Sequence, residues 1–186
     1  MNVGFAMCGS FCTFSQVFPI METLTKEHSL IPIFSPVCCC TDSRFGTAAE
    51  HIRRATEICG RAPLTTIEQV EPIGPKKLLD ALIIAPCTGN TLAKLAHSIA
   101  DTSVTMAAKS HLRNGRPVLI AVSTNDALAG AAENIGRLLA RKNYYFVPFG
   151  QDDAVNKPAS MVADFERIPE ALEAAIAGRQ LQPILL

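Results

Sequence analysis

Three short stretches of this chain set small polar residues at the ends of apolar runs: "MCGSFCTF", "PCTGNT" and "VSTNDAL". The hydroxyls of Ser10, Thr13, Thr88, Thr91, Ser123 and Thr124 can donate to an anion, and Gly9 and Gly89 let a ligand approach the backbone closely. Asn90 and Asn125 each present a donor and an acceptor on one amide, which suits the edge of a heterocycle. Where such a stretch opens a helix, the unpaired N–H groups of its first turn carry about half a positive charge. The chemistry on offer is the binding of a planar anion by local donors. Ser, Thr and Asn are also the ordinary N-caps of helices, and one stretch alone needs no other reading. Three at adjoining strand ends favour a pocket.

Charged residues add to this set. Arg44 in "TDSRFG" is the best carboxylate clamp, since a guanidinium donates in a planar fork; the alternative is a solvated loop arginine. Asp126 either takes or relays a proton, or caps a helix opening at Ala127. Lys76, Lys77, Lys109 and Arg113 are cationic reserves. His28, His51, His97 and His111 read as surface or hydrogen-bonded helix residues. The glycines make neither G-x-G-x-x-G nor a G-K-[ST] loop, so a nicotinamide cofactor is not expected on this chain alone. Seven cysteines include the run Cys38 to Cys40 but no C-x-x-C pair. In extended chain that run would point to alternate faces, so no metal site is expected, and the odd count suits reduced thiols.

The elements that must position these residues alternate between strands and helices. "NVGFAMC" is a first strand, followed by a helix from a Thr13–Gln16 capping box to about His28, bent by Pro19. "LIPIFS" is a second strand whose Pro32 places it near an edge. A helix runs from Phe45 to a C-cap at Gly60, and "LTTI" is a brief strand. "DALIIAP", "RPVLIAVS" and "YYFVPF" are further strands. Between and after them lie helices over 91–99, 103–113, 127–142 and 166–177, the third with Leu128, Ile135, Leu138 and Leu139 as its apolar stripe. "LQPILL" closes the chain as an extended segment. The pattern predicts a single-domain, doubly wound, Rossmann-like α/β fold over residues 1–186, with a mostly parallel sheet covered by helices on both faces. Such sheets bind ligands beyond the carboxyl ends of their strands, where the three polar stretches lie.

Composition narrows the function. Lys plus Arg equals Asp plus Glu at 17 each, so no net field attracts nucleic acid or an anionic membrane. Hydrophobic residues make up 48% of 186, but no apolar run approaches a bilayer span. The opening "MNVGFAMCGS" has no basic leader, so a soluble cytoplasmic protein is expected.

Taken in order, "GSFCT", the span from "APCTGNT" to "VSTNDAL", and "FVPFGQDD" resemble the flavoprotein family of FMN-binding cysteine decarboxylases and flavin prenyltransferases. The "PCTGNT" turn sits where that family carries its Pro-Ala-Ser-Ala-Asn-Thr signature. The resemblance covers nearly the whole chain. It is strongest to a branch that acts with a nicotinamide-dependent partner subunit on a cyclic dicarboxylate of the lysine pathway, making pyridine-2,6-dicarboxylate in sporulating bacteria. It implies FMN or a related flavin as an allowed cofactor, NAD(P) on the partner, and a homotrimer or multiple of trimers. The implied binding residues are Gly9, Ser10 and Cys12 after the first strand and Ser35 after the second. Pro86, Thr88, Gly89, Asn90 and Thr91 follow from the middle strand, then Ser123, Thr124 and Asn125. Arg44 and Asp126 are the candidates for chemistry, and no metal is implied.

Overall fold

The computed structural model describes residues Met1–Leu186. Its centre is a sheet in the order β2-β1-β3-β4-β7-β6, with β5 also pairing β4. The strands are β1 (Asn2–Met7), β2 (Ser29–Phe34), β3 (Ala81–Cys87), β4 (Val118–Thr124), β5 (Tyr144–Phe146), β6 (Phe149–Gly150) and β7 (Met161–Ala163). The pairs β1–β2, β1–β3, β3–β4 and β4–β5 are parallel, whereas β7 runs antiparallel to both β4 and β6. Every residue of β3 is buried, as a strand covered on both faces requires. One apolar cluster runs continuously from Val3 to Leu172.

The helices are α1 (Phe14–Leu24), α2 (Pro36–Cys40), α3 (Ala48–Cys59), α4 (Ile67–Val70), α5 (Gly89–Ala96), α6 (Ser103–Leu112), α7 (Ala132–Leu139) and α8 (Ile168–Ile176). Helix α6 packs on β2, β3 and β4, and α8 lies across β3, β4 and β5. Thr47 and Glu50 close a capping box on α3, which ends at Gly60 with φ 67, the left-handed conformation expected there. Pro32 lies on the edge strand β2, as its missing N–H requires.

Several local expectations are corrected. Thr13 and Gln16 form no capping box: Phe11–Thr13 is a 3-10 turn, and the Thr13 hydroxyl donates to Ser10 O at 2.9 Å. Helix α1 ends at Leu24 rather than near His28. The cysteine run is helical, not extended; Cys38 is buried with its thiol donating to Met7 O at 3.3 Å, while Cys40 is exposed. "LTTI" contributes only a bridge from Leu64 to Ile33, completing the outer edge of β2. The helix expected from Ala127 begins at Ala132, and Leu128 and Leu139 are exposed rather than part of a buried stripe. "YYFVPF" splits into β5 and β6, because β4 pairs with β5 along its first half and with β7 at its carboxyl end. "LQPILL" bridges Leu185 to Phe149.

His111 on α6 is fully buried, and its ring donates from Nε2 to Pro117 O at 3.1 Å. That leaves Nδ1 without a partner. Burial pushes its pKa down to about 4, against the weaker opposing pull of the Pro117 carbonyl. An unfolded chain takes up this proton near pH 6.5 and the folded chain does not, so stability falls as pH drops through that window. The expected loss is about 3 kcal/mol between pH 7 and pH 4 from this group. Urea unfolding across pH should show it in the wild type and lose that share in His111→Gln.

Candidate active site

Parallel pairing brings the ends of β1, β3 and β4 to one edge. Ala6 pairs with Ile84 and Ile84 with Ile120, but Cys87 then pairs with Val122, so β3 carries one extra residue before its end. Across that end, Ser10 Oγ and Ser123 Oγ meet at 2.8 Å, joining the loop after β1 to the tip of β4. A cleft of ≈ 1050 Å³ opens above them.

Gly9, Ser10 and Cys12 line it from the first strand end, Thr88 from the second, and Ser123, Thr124 and Asn125 from the third. Arg44 reaches it from the loop between α2 and α3, its guanidinium 4.8 Å from the Phe45 ring centre. The remaining expected residues lie outside the lining. Ser35 is buried and spends its hydroxyl on α2, accepting from Cys38 N at 3.4 Å and donating to Cys38 Sγ at 3.3 Å. Pro86 is buried in β3, its carbonyl accepting from Cys8 N at 3.2 Å. Thr91 is buried and donates to Cys8 Sγ at 3.3 Å, supporting Thr88, which donates to Thr91 Oγ1 at 3.3 Å. Asn90 is exposed on the first turn of α5.

Asp126 accepts from Thr124 Oγ1 at 2.5 Å, and its carbonyl accepts from Ala129 and Ala131 N. It thus organises a turn and caps no helix at Ala127, and like Gly89 it stands behind the cleft lining rather than in it. Gly89 is the joint between the middle and third strand ends. A Cβ there would lie 2.8 Å from both Asp126 Oδ1 and Thr124 Oγ1.

Sequence reasoning missed Lys157, which enters the cleft from the loop before β7 and stands 3.5 Å from Asp152. It also missed the aromatic walls Phe11 and Phe45. Lys157 is the lone cation in "QDDAVNKPAS", and that isolation was its only signal. Burial favours the protonated form of the thiols beneath the cleft. Burial raises Cys8 to about 11 and Cys38 to about 12, and it raises Cys87 well above the ordinary thiol value.

The helix starts differ in their caps, and α1, α7 and α8 share with α5 the lack of a side-chain cap bond. Thr47, Thr66 and Thr102 each close a capping box on their helices. Thr88, at the start of α5, makes no side-chain cap bond, so the first-turn amides of that helix lack such a partner. Hydroxyls, the side-chain amides of Gln16 and Asn125, two cations and uncapped helix amides form a donor set that suits a flavin phosphate and ring edge as well as a carboxylate-bearing ring.

Residues 1–164 match the family described as Flavoprotein, and the chain belongs to that family. Over 186 residues, 100% of this chain and 93% of the relative, it is 44% identical to the B-type subunit of dipicolinate synthase from Bacillus subtilis (strain 168). The crystal structure of the corresponding B-type dipicolinate synthase subunit from Bacillus halodurans C is similar with a TM-score of 0.91 at 44% identity, covering 100% of this chain and 95% of that one. The FMN-dependent cysteine decarboxylase SpaF shares the fold at a TM-score of 0.65 and 21% identity, covering 95% and 94% of the two chains. None of the helices is long and apolar enough to cross a membrane.

Because a Cβ at Gly89 would meet the side-chain tips of Asp126 and Thr124, Gly89→Ala should push those tips aside and break the bond between them. A loss of about 1–3 kcal/mol in urea unfolding is expected, whereas Gly136→Ala, with open space around its Cβ, should not destabilise the chain.

Proposed function

We propose that this chain is the B-type subunit of a dipicolinate synthase. In this reading the cleft binds a cyclic dicarboxylate of the 4-hydroxytetrahydrodipicolinate type. A nicotinamide-dependent A-type subunit accepts the hydride, in the mother-cell cytoplasm of a sporulating bacterium. The observation that carries the reading is full-length 44% identity to a B-type dipicolinate synthase subunit. The geometry supports it. Arg44 and Lys157 reach the cleft from separate loops, suiting one carboxylate each, and the Ser10–Ser123 pair lies with Thr88 between the strand ends.

Loss of water from the hydroxylated ring gives a dihydropyridine dicarboxylate. Transfer of a hydride to the nicotinamide, with loss of a proton, then makes the ring aromatic. This chain's part is to hold both carboxylates and orient the ring by its hydroxyls and Asn125, with Asp126, behind the cleft-lining Thr124, taking the departing proton through that hydroxyl. The carboxylate of Asp126, fixed by Thr124, has the acceptor capacity that role needs. Assembly as a homotrimer or a multiple of trimers belongs to the same reading.

Flavin binding is the second reading, favoured by the uncapped start of α5. The phosphate would be held by Ser10, Thr88 and the first-turn amides of α5, and the ring edge by Asn125. Bound flavin supplies two-electron chemistry. A colourless protein after purification and after incubation with FMN would count against it; flavin absorbance that survives gel filtration would support it.

The synthase reading is tested by reconstitution with an A-type subunit, the hydroxylated dicarboxylate and nicotinamide, following the absorbance of the pyridine product. Turnover should require this chain. Removing one charge-assisted contact is worth about 1.5–3 kcal/mol, so Arg44→Ala and Lys157→Ala should each raise KM for the dicarboxylate about tenfold to a hundredfold. Asp126→Asn should lower kcat with little change in KM. Unchanged turnover in all three variants would leave this chain a scaffold only.

A further inference from the structure

His51 on α3 is 6% exposed, and its Nε2 is buried without a hydrogen-bond partner. Leaving such a group orphaned costs about 1–3 kcal/mol. Aromatic rings surround it: Phe14 edge-on at 4.8 Å, with Phe11 and Phe18 stacked at 6.1 Å each. Burial, the leading influence, lowers its pKa, so the ring is neutral at physiological pH. The ring does not line the cleft; it borders a separate pocket of ≈ 560 Å³ with Phe14, Phe18, Phe45 and Gly46, while Nε2 itself is buried.

What the imidazole does meet is the loop that carries Arg44. A Cβ on Gly46 would lie 2.8 Å from His51 Cε1 and 3.2 Å from Nε2, so the loop backbone rests directly on the ring edge. Gly46 has φ +126, a conformation open to glycine and rarely to other residues. The tip above it is closed on itself. Ser43 N donates to Gly46 O at 3.0 Å, and Gly46 N returns the bond to Ser43 O at 3.1 Å. The Ser43 hydroxyl adds a bond to Gly46 O at 3.3 Å and accepts from Phe45 N at 3.1 Å. Arg44 and Phe45 are thus the two central residues of a tight, multiply bonded turn, and both face the cleft. One wall is shared, since Phe11 lines the cleft and stacks on His51.

We infer that His51 is a positioning residue for Arg44: the imidazole, wedged among three phenylalanines, is the seat on which the turn 43–46 rests, and it sets where the guanidinium stands in the cleft. The inference rests on the reading of that cleft as a carboxylate site.

The full-length chain is used for the test, with pyridine-2,6-dicarboxylate as the probe. Hydrogen exchange at the Ser43 and Gly46 amides should accelerate in His51→Ala, and less in His51→Gln, which keeps most of the volume should the alanine variant fold poorly. By calorimetry, His51→Ala should raise Kd about tenfold, and Arg44→Ala should raise it at least as much. The double variant should bind no more weakly than Arg44→Ala alone, since His51 acts through that residue. Unchanged exchange, or additive losses in the double variant, would overturn the role of His51 while leaving the cleft intact. If Arg44→Ala binds like the wild type, or the wild type does not bind the probe, the cleft reading itself falls, and the positioning role with it.

Discussion

Because β1, β3 and β4 lie side by side and parallel, the loops that follow them must leave the sheet at the same edge. Hydrogen bonding along these ladders is dense, and the strands are buried on both faces, so neither register nor direction can slip without turning apolar side chains toward solvent. The 2.8 Å contact between Ser10 and Ser123 follows from this constraint, since the two residues are 113 positions apart in sequence. The extra residue in β3 and the glycine at position 89 adjust the middle loop to fit between its neighbours.

The protein binds an anion, on this reading, without carrying net charge. Long-range steering is therefore weak, and recognition falls to donors a few ångströms from the ligand. Neutral hydroxyls and helix amides lose less hydration on burial than charges do, which lets the floor of the cleft be polar at modest expense. The cations come from loops, where they stay solvated until a ligand arrives. That division between floor and rim matches the sequence: the floor residues adjoin strand ends, and Arg44 and Lys157 lie in turns.

Much of this was legible beforehand, and the reasons differ by element. The strands of the central sheet were plain because buried parallel strands read as unbroken apolar runs, and Gly60 marked the end of α3 because a left-handed cap selects glycine. The hydroxyls of Ser10, Thr88 and Ser123 could be placed at strand ends from local pattern alone. What pattern could not show was distance between segments. Lys157 reaches the cleft only because the short strand β7 pairs antiparallel with the tip of β4, and a three-residue strand has no readable period. The segment 127–131 looked like the start of a helix from its apolar spacing, yet the Asp126 carbonyl and the Thr124–Asp126 bond hold it as a turn. His51 read as an ordinary helix histidine, since its aromatic cage is assembled from α1 and the turn before it.

The buried titratable groups share one tendency. Burial drives Cys8, Cys38 and Cys87 upward and His51 and His111 downward, and in every case the neutral form is favoured. The protein therefore holds no buried charge under the site, and the field at the cleft arises from its rim: Arg44 and Lys157, with Asp152 nearby. A ligand with a single carboxylate would satisfy one rim cation and leave the other exposed to solvent. On the proposed reading, one with two carboxylates across a flat ring would engage both while its ring covers the hydroxyl floor. Selectivity for a dianion over a monoanion then depends on the spacing of two loops rather than on charge stored in the core, and loop supports such as the imidazole under Gly46 become as consequential as the residues that touch the ligand.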